Sequence, residues 1–155
     1  MRRIALLSCA AVLIGCAKSD QPAADTTPVA PPPAPPPKTI ALSDVAGKWN
    51  VKGMNEAGDS TLVTYVFNAT ADTTGWTMTF PGRKPVPVHV VGVSGDSIMI
   101  EAGPYPSVLR KGVNVRTSGA FRLQDGKIVG MTTARYSVKT ADSVRKVRTE
   151  GMKAP

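Results

Sequence analysis

The sequence predicts an all-β protein: an antiparallel up-and-down meander of about eight strands closed into a barrel. Three observations carry that reading. From Lys48 onward apolar and polar residues alternate with a period of two, most cleanly where Val113, Val115, Thr117, Gly119, Phe121 and Leu123 are set against Asn114, Arg116, Ser118, Ala120 and Arg122. Short turn signals punctuate these runs. Beyond the first 38 residues nothing has the helical period, and Val, Thr, Gly and Ser dominate.

Taken in order, the elements begin with Leu42 to Ala46, a candidate for one short helical turn. Trp49 and Val51, alternating with Lys48, Asn50 and Lys52, open the first strand, over 47–54. Glu56-Ala57-Gly58-Asp59 turns the chain into 60–69, and Ala71 to Gly75 into 75–80, where Trp76, Met78 and Phe80 share a face. Pro81-Gly82-Arg83-Lys84-Pro85 leads to the Val-rich run 86–93, and Ser94-Gly95-Asp96 to 97–102. A long run, 107–123, reads as one bent strand or two. Asp125-Gly126 then marks a hairpin into 127–138, because both turn residues of the favoured two-residue loop need positive φ. The last strand spans 143–150. With no helices to cover them, the edges are best removed by barrel closure; a two-sheet sandwich is the alternative.

Ahead of this body lie two segments of different character. Met1-Arg2-Arg3 is a short positive stretch, and Ile4 to Ile14 is an apolar run too short for the ~20 residues of a transmembrane helix. The run ends in Leu13-Ile14-Gly15-Cys16, which resembles the lipobox of bacterial lipoproteins. That resemblance implies a signal peptide over 1–15, cleavage before Cys16, and diacylglycerol with a further palmitate-type chain on Cys16, the membrane anchor. Several acyl chains hold a protein stably where one does not. Ala17 stands where Asp would retain an enteric-type lipoprotein in the inner membrane. The resemblance therefore implies the cell envelope, with the periplasmic face of the outer membrane favoured if the organism has one. Residues 16–38 form the lipidated N-terminus and a Pro-rich tether. Pro28 to Pro37, in polyproline II form at ~3.1 Å per residue, reaches roughly 30 Å. The barrel domain is 39–155.

The formal charge is +8, and removing Arg2 and Arg3 with the signal leaves +6. From Arg110 onward eleven basic residues face three acids. Alternation turns Arg116, Arg122, Lys127 and Arg135 outward, and closure of the last strand on the first brings Lys48 and Lys52 beside Arg145 or Lys146. This predicts one basic wall facing an anionic envelope component; nucleic acid is not an expected partner outside the cytoplasm. The only cysteines, Cys9 and Cys16, fall in the signal and at the lipid site, so packing alone holds the domain.

Catalytic and metal-binding patterns are not found in the sequence. His89 is the sole histidine and reads as a strand residue without metal partners. Gly92-Val93-Ser94-Gly95 misses the nucleophile-elbow spacing by one position, and Asp96 and Glu101 lie on opposite faces of a strand, a poor acid–base pair. No cofactor is called for, and a non-enzymatic role is expected.

Gly47-Lys48-Trp49, just after the short helical turn, resembles the Gly-x-Trp signature that opens the lipocalin and wider calycin barrels. The resemblance implies that Trp49 packs at the closed end under an arginine of the last strand, Arg148 or, as second choice, Arg145. It also implies a barrel interior that takes a small apolar or amphipathic ligand. Tyr65, Phe67, Trp76, Met78, Phe80, Phe121 and Tyr136 are the candidate lining residues, with Gly119, Gly130, Thr132 and Ala134 leaving room. The alternative is a filled core and an envelope interaction protein that works through its outer surface.

Overall fold

The computed structural model describes residues 39–155. The expected signal peptide, Cys16 and the expected Pro-rich tether lie outside the described residues. One helical turn, α1 (Leu42–Val45), precedes eight strands: β1 (Gly47–Met54), β2 (Thr61–Ala69), β3 (Thr77–Thr79), β4 (Val86–Ser94), β5 (Ser97–Pro106), β6 (Asn114–Gln124), β7 (Lys127–Tyr136) and β8 (Val144–Lys153). They pair in sequence order, antiparallel throughout, and β8 closes on β1. The barrel form of the predicted meander is therefore the one adopted, and no strand edge is left open along its circumference.

Strict alternation is visible in the burial of β1, where Trp49, Val51 and Gly53 point in and Lys48, Asn50 and Lys52 point out. The core is continuous from Val45 and Trp49 at one end through Phe67, Trp76, Met78, Val88, Ile98, Phe121 and Ile128. The α1 turn plugs that end. Asp44 accepts from the Ala41 amide at 2.9 Å, and the Ile40 amide donates to the Gly95 carbonyl at 3.0 Å, tying the start of the domain to the β4–β5 turn. The Asp125-Gly126 hairpin forms as expected: φ is 50° at Asp125 and 73° at Gly126, and Gln124 pairs with Lys127 across the turn.

Several strand ends differ from the sequence reading by one to three residues, and two differ by more. β5 runs on through Pro104 to Pro106 instead of ending at residue 102. Proline has no amide to give to a ladder, so a proline normally stops a strand. Here the register shifts between Ala102 and Tyr105, and the resulting bulge takes up the proline. The run 107–123 is not one bent strand: β6 begins only at Asn114, and 107–113 is a turn over one end of the barrel. Ser107 builds that turn. Its hydroxyl accepts the Leu109 and Arg110 amides at 3.1 and 3.0 Å, and its own amide donates to Val113 at 2.8 Å.

Candidate functional site

Trp49 is buried, 2% exposed, and its indole N–H donates to the Val45 carbonyl at 2.8 Å. The cation above it is not the one expected from the calycin resemblance. The β1–β8 register sets Trp49 against Lys153, whose Nζ lies 5.7 Å from the ring centroid, while Arg148 is opposite Met54 at the far end of β1. Arg148 points outward, with its guanidinium over Gly58, and Arg145 is exposed at the opposite rim beside Ala134. Gly47 explains the Gly-x-Trp spacing: its φ is 126°, and a Cβ there would meet the Lys153 stem at 3.2 Å.

The interior divides into a filled half and a partly open half. Toward the α1 end, Phe67, Trp76 and Phe121 pack against one another with ring centroids 5.5 to 6.2 Å apart. Trp76, 1% exposed, anchors there by donating to the Asp72 carbonyl at 2.7 Å. Trp76 is therefore part of the packed end and lines neither interior void, contrary to its expected place. Inside the barrel, Phe121 borders a void of about 20 Å³, shared with Tyr65, Phe67 and Gly119. Gly130 leaves no room either. A Cβ on it would lie 2.2 Å from the Ala120 carbonyl oxygen and 2.8 Å from Phe121 Cα, so its missing side chain is what allows β6 to approach.

At the other end a cavity of about 70 Å³ opens beneath the 107–113 turn. Five of the expected residues line it: Tyr65, Phe67, Met78, Phe80 and Tyr136. Thr132 and Ala134, expected to leave room, line it too. Strand alternation did not disclose its roof, Ser107, Val108 and Leu109, nor Tyr105, which follows the β5 bulge, nor Thr149; Thr117 lies on the inward face that alternation gave to this strand. Phe80 and Tyr105 stack at 5.8 Å and border both this cavity and an outer groove of about 670 Å³, so the ring pair is the partition between them.

The cavity is apolar around a small set of hydroxyls. Thr132 and Thr149 hydroxyls lie 3.1 Å apart, and Thr149 is a side-chain partner of the Tyr65 phenol. Burial pushes the Tyr65 phenol well above its ordinary value and repulsion from Tyr105 adds to this, while the Thr149 hydrogen bond offsets part. Tyr105 is raised for the same first reason, with Thr117 as its partner. Both rings are thus neutral donors and acceptors under ordinary conditions.

Three fasteners hold the roof. Arg83 donates to the Pro106 and Ser107 carbonyls at 2.7 and 3.3 Å. Arg110 stands 4.5 Å over the Tyr136 ring and pairs with Asp142 on the β7–β8 connection. Ser107 supplies the turn itself. His89 is exposed on β4, opposite Glu101. Among the described residues no group of three or more His, Cys, Asp or Glu converges. No protein-family model matches the chain, and no curated protein or solved structure gives a significant match.

Proposed function

We propose that the chain is a lipid-anchored lipoprotein of the bacterial envelope whose barrel takes a small amphipathic molecule, or the tip of a larger one, beneath the 107–113 turn. The observation that carries the binding reading is the cavity: aromatic and aliphatic walls around the Tyr65, Thr132 and Thr149 hydroxyls, in a barrel otherwise closely filled. Few convergent polar groups in an apolar enclosure are the ordinary make-up of a small-molecule site. Its size limits the ligand. About 70 Å³ is several times the ~10–15 Å³ that admits one water and about half an engineered cavity of ~150 Å³ that takes benzene. A group of a few heavy atoms fits as the site stands, and a longer chain requires Val108 and Leu109 to move aside. The anchor rests on Leu13-Ile14-Gly15-Cys16 and the preceding apolar run.

Two experiments test the two parts. Native mass spectrometry of the purified mature chain, with extraction of what co-purifies, should reveal a bound small molecule. Ala134→Leu, which fills the cavity, should abolish that adduct while the barrel remains folded. A bare protein, or an adduct indifferent to Ala134→Leu, defeats the binding reading. Labelled palmitate should enter the wild type and not Cys16→Ala; label in the variant defeats the anchor.

A further inference from the structure

Barrel closure gathers the strand-borne cations of this domain onto neighbouring strands. Among the described residues, every lysine and arginine that lies in a strand belongs to β1, β6, β7 or β8, which are neighbours in the closed sheet; β2 to β5 carry none. The only acid in those four strands is Glu150, and Lys127 neutralises it at 3.1 Å. Lys146 has a looser partner in Glu56, 3.7 Å away on the β1–β2 turn. The outward ladder between β7 and β8 has a pattern that net charge alone does not require. Met131 stands opposite Arg148, Met152 opposite Lys127, and Val144 opposite Arg135. The three apolar members are 40%, 58% and 52% exposed. On β6, Arg116 lies directly opposite Arg135, a like-charge pair that costs stability unless an anion sits between them. Val91 and Val93 on β4 are exposed as well, but no strand cation stands near them in the ladder.

We propose that the β6–β7–β8–β1 wall docks on an anionic phospholipid surface. Cations meet the headgroup phosphates, and Met131, Met152 and Val144 enter the boundary between headgroups and acyl chains. Solubility accounts for the charges alone; methionines and a valine placed one-to-one among them fit a surface that is both negative and apolar just below. An acidic polymer offers the first property and lacks the second. The proposal is independent of the interior cavity. It does not need the lipid on Cys16, although an anchored chain makes the contact intramolecular, so that a weak affinity suffices.

Residues 39–155 contain every strand ladder and the whole core of the described residues, so a chain starting at residue 35 carries the barrel and omits Cys16. Its sedimentation with vesicles of pure phosphatidylglycerol and of pure phosphatidylcholine is compared at low and high salt. Binding is expected to phosphatidylglycerol only and to weaken with salt, since exposed charges are screened beyond ~10 Å at 0.1 M. Each basic residue near such a surface contributes about fivefold in affinity, so Arg135→Glu/Arg148→Glu should weaken binding by at least about twenty-fivefold. Met131→Ser/Met152→Ser should weaken vesicle binding several-fold and leave binding of soluble polyphosphate unchanged. Circular dichroism checks that both variants keep the barrel. Equal binding to the two lipids, or none at low salt, overturns the proposal. So does vesicle binding indifferent to the methionine substitutions with polyphosphate held equally well, which assigns the wall to an acidic polymer.

Discussion

Replacing Trp49 with alanine removes the largest side chain at the plugged end of the barrel. Trp49 is 2% exposed, so nearly all of its surface leaves water on folding. An aromatic side chain of this size buries up to about 250 Å². At about 25 cal/mol per Å² that is roughly 6 kcal/mol, an upper bound because the unfolded chain already shelters part of the ring. Partial collapse of the surrounding side chains brings the expected loss to about 3–5 kcal/mol, the usual range for such truncations. The indole N–H adds a separate contribution, because its 2.8 Å bond to the Val45 carbonyl holds α1 over the barrel end. Trp49→Phe keeps most of the ring and loses that bond, so it should cost about 1–3 kcal/mol, with α1 freed. Urea unfolding of residues 35–155, followed by far-ultraviolet circular dichroism, measures both. A loss below about 1 kcal/mol for Trp49→Ala, at unchanged denaturant sensitivity, would refute the reasoning. It would mean that the plugged end is not a close-packed part of the core.

Other substitutions probe other parts of the barrel. Gly130→Ala places a methyl 2.2 Å from the Ala120 carbonyl oxygen, and the backbone must yield; a loss of about 1–3 kcal/mol or more is expected, whereas Gly126→Ala meets no neighbour and strains only its φ of 73°. Equal effects of the two in thermal melts would remove the close β6–β7 approach from the account. The raised Tyr65 phenol makes stability depend on alkaline pH. Its contribution is intact below the unfolded-state value of about 10 and falls by about 1.4 kcal/mol per pH unit above it, because the unfolded chain ionises first. Tyr65→Phe should flatten that slope in urea titrations at rising pH, and an unchanged slope would place the dependence elsewhere. Lys153→Ala should lower stability by about 0.5–1 kcal/mol through the Trp49 ring. Arg148→Ala, outward and away from that ring, should stay within about 0.5 kcal/mol; the reverse order of the two would restore the arginine to the tryptophan.

Local chemistry made the sheet legible in the sequence. Side chains on a strand must alternate between wet and buried faces, so the residues of β1 and β6 announce their own orientation. Asp125-Gly126 announces its hairpin because few other pairs tolerate two positive φ values. The inward set that includes Trp49, Phe67 and Tyr136 followed from the same rule. What alternation does not contain is distance along the barrel axis. It sorts residues by face and says nothing of height, and so it did not separate Trp76 and Phe121, in the packed half, from Tyr65 and Phe80, beside the cavity. Height is decided by register. For β8 on β1, register follows from closing the whole sheet with its bulges near Val90, Ala102 and Gly53, and from no local signal. That closure put Lys153 over Trp49 and Arg148 opposite Met54. The same event joined the basic strands at the two ends of the domain into one wall. Composition records their charge, but only a closed sheet makes β1 and β8 neighbours.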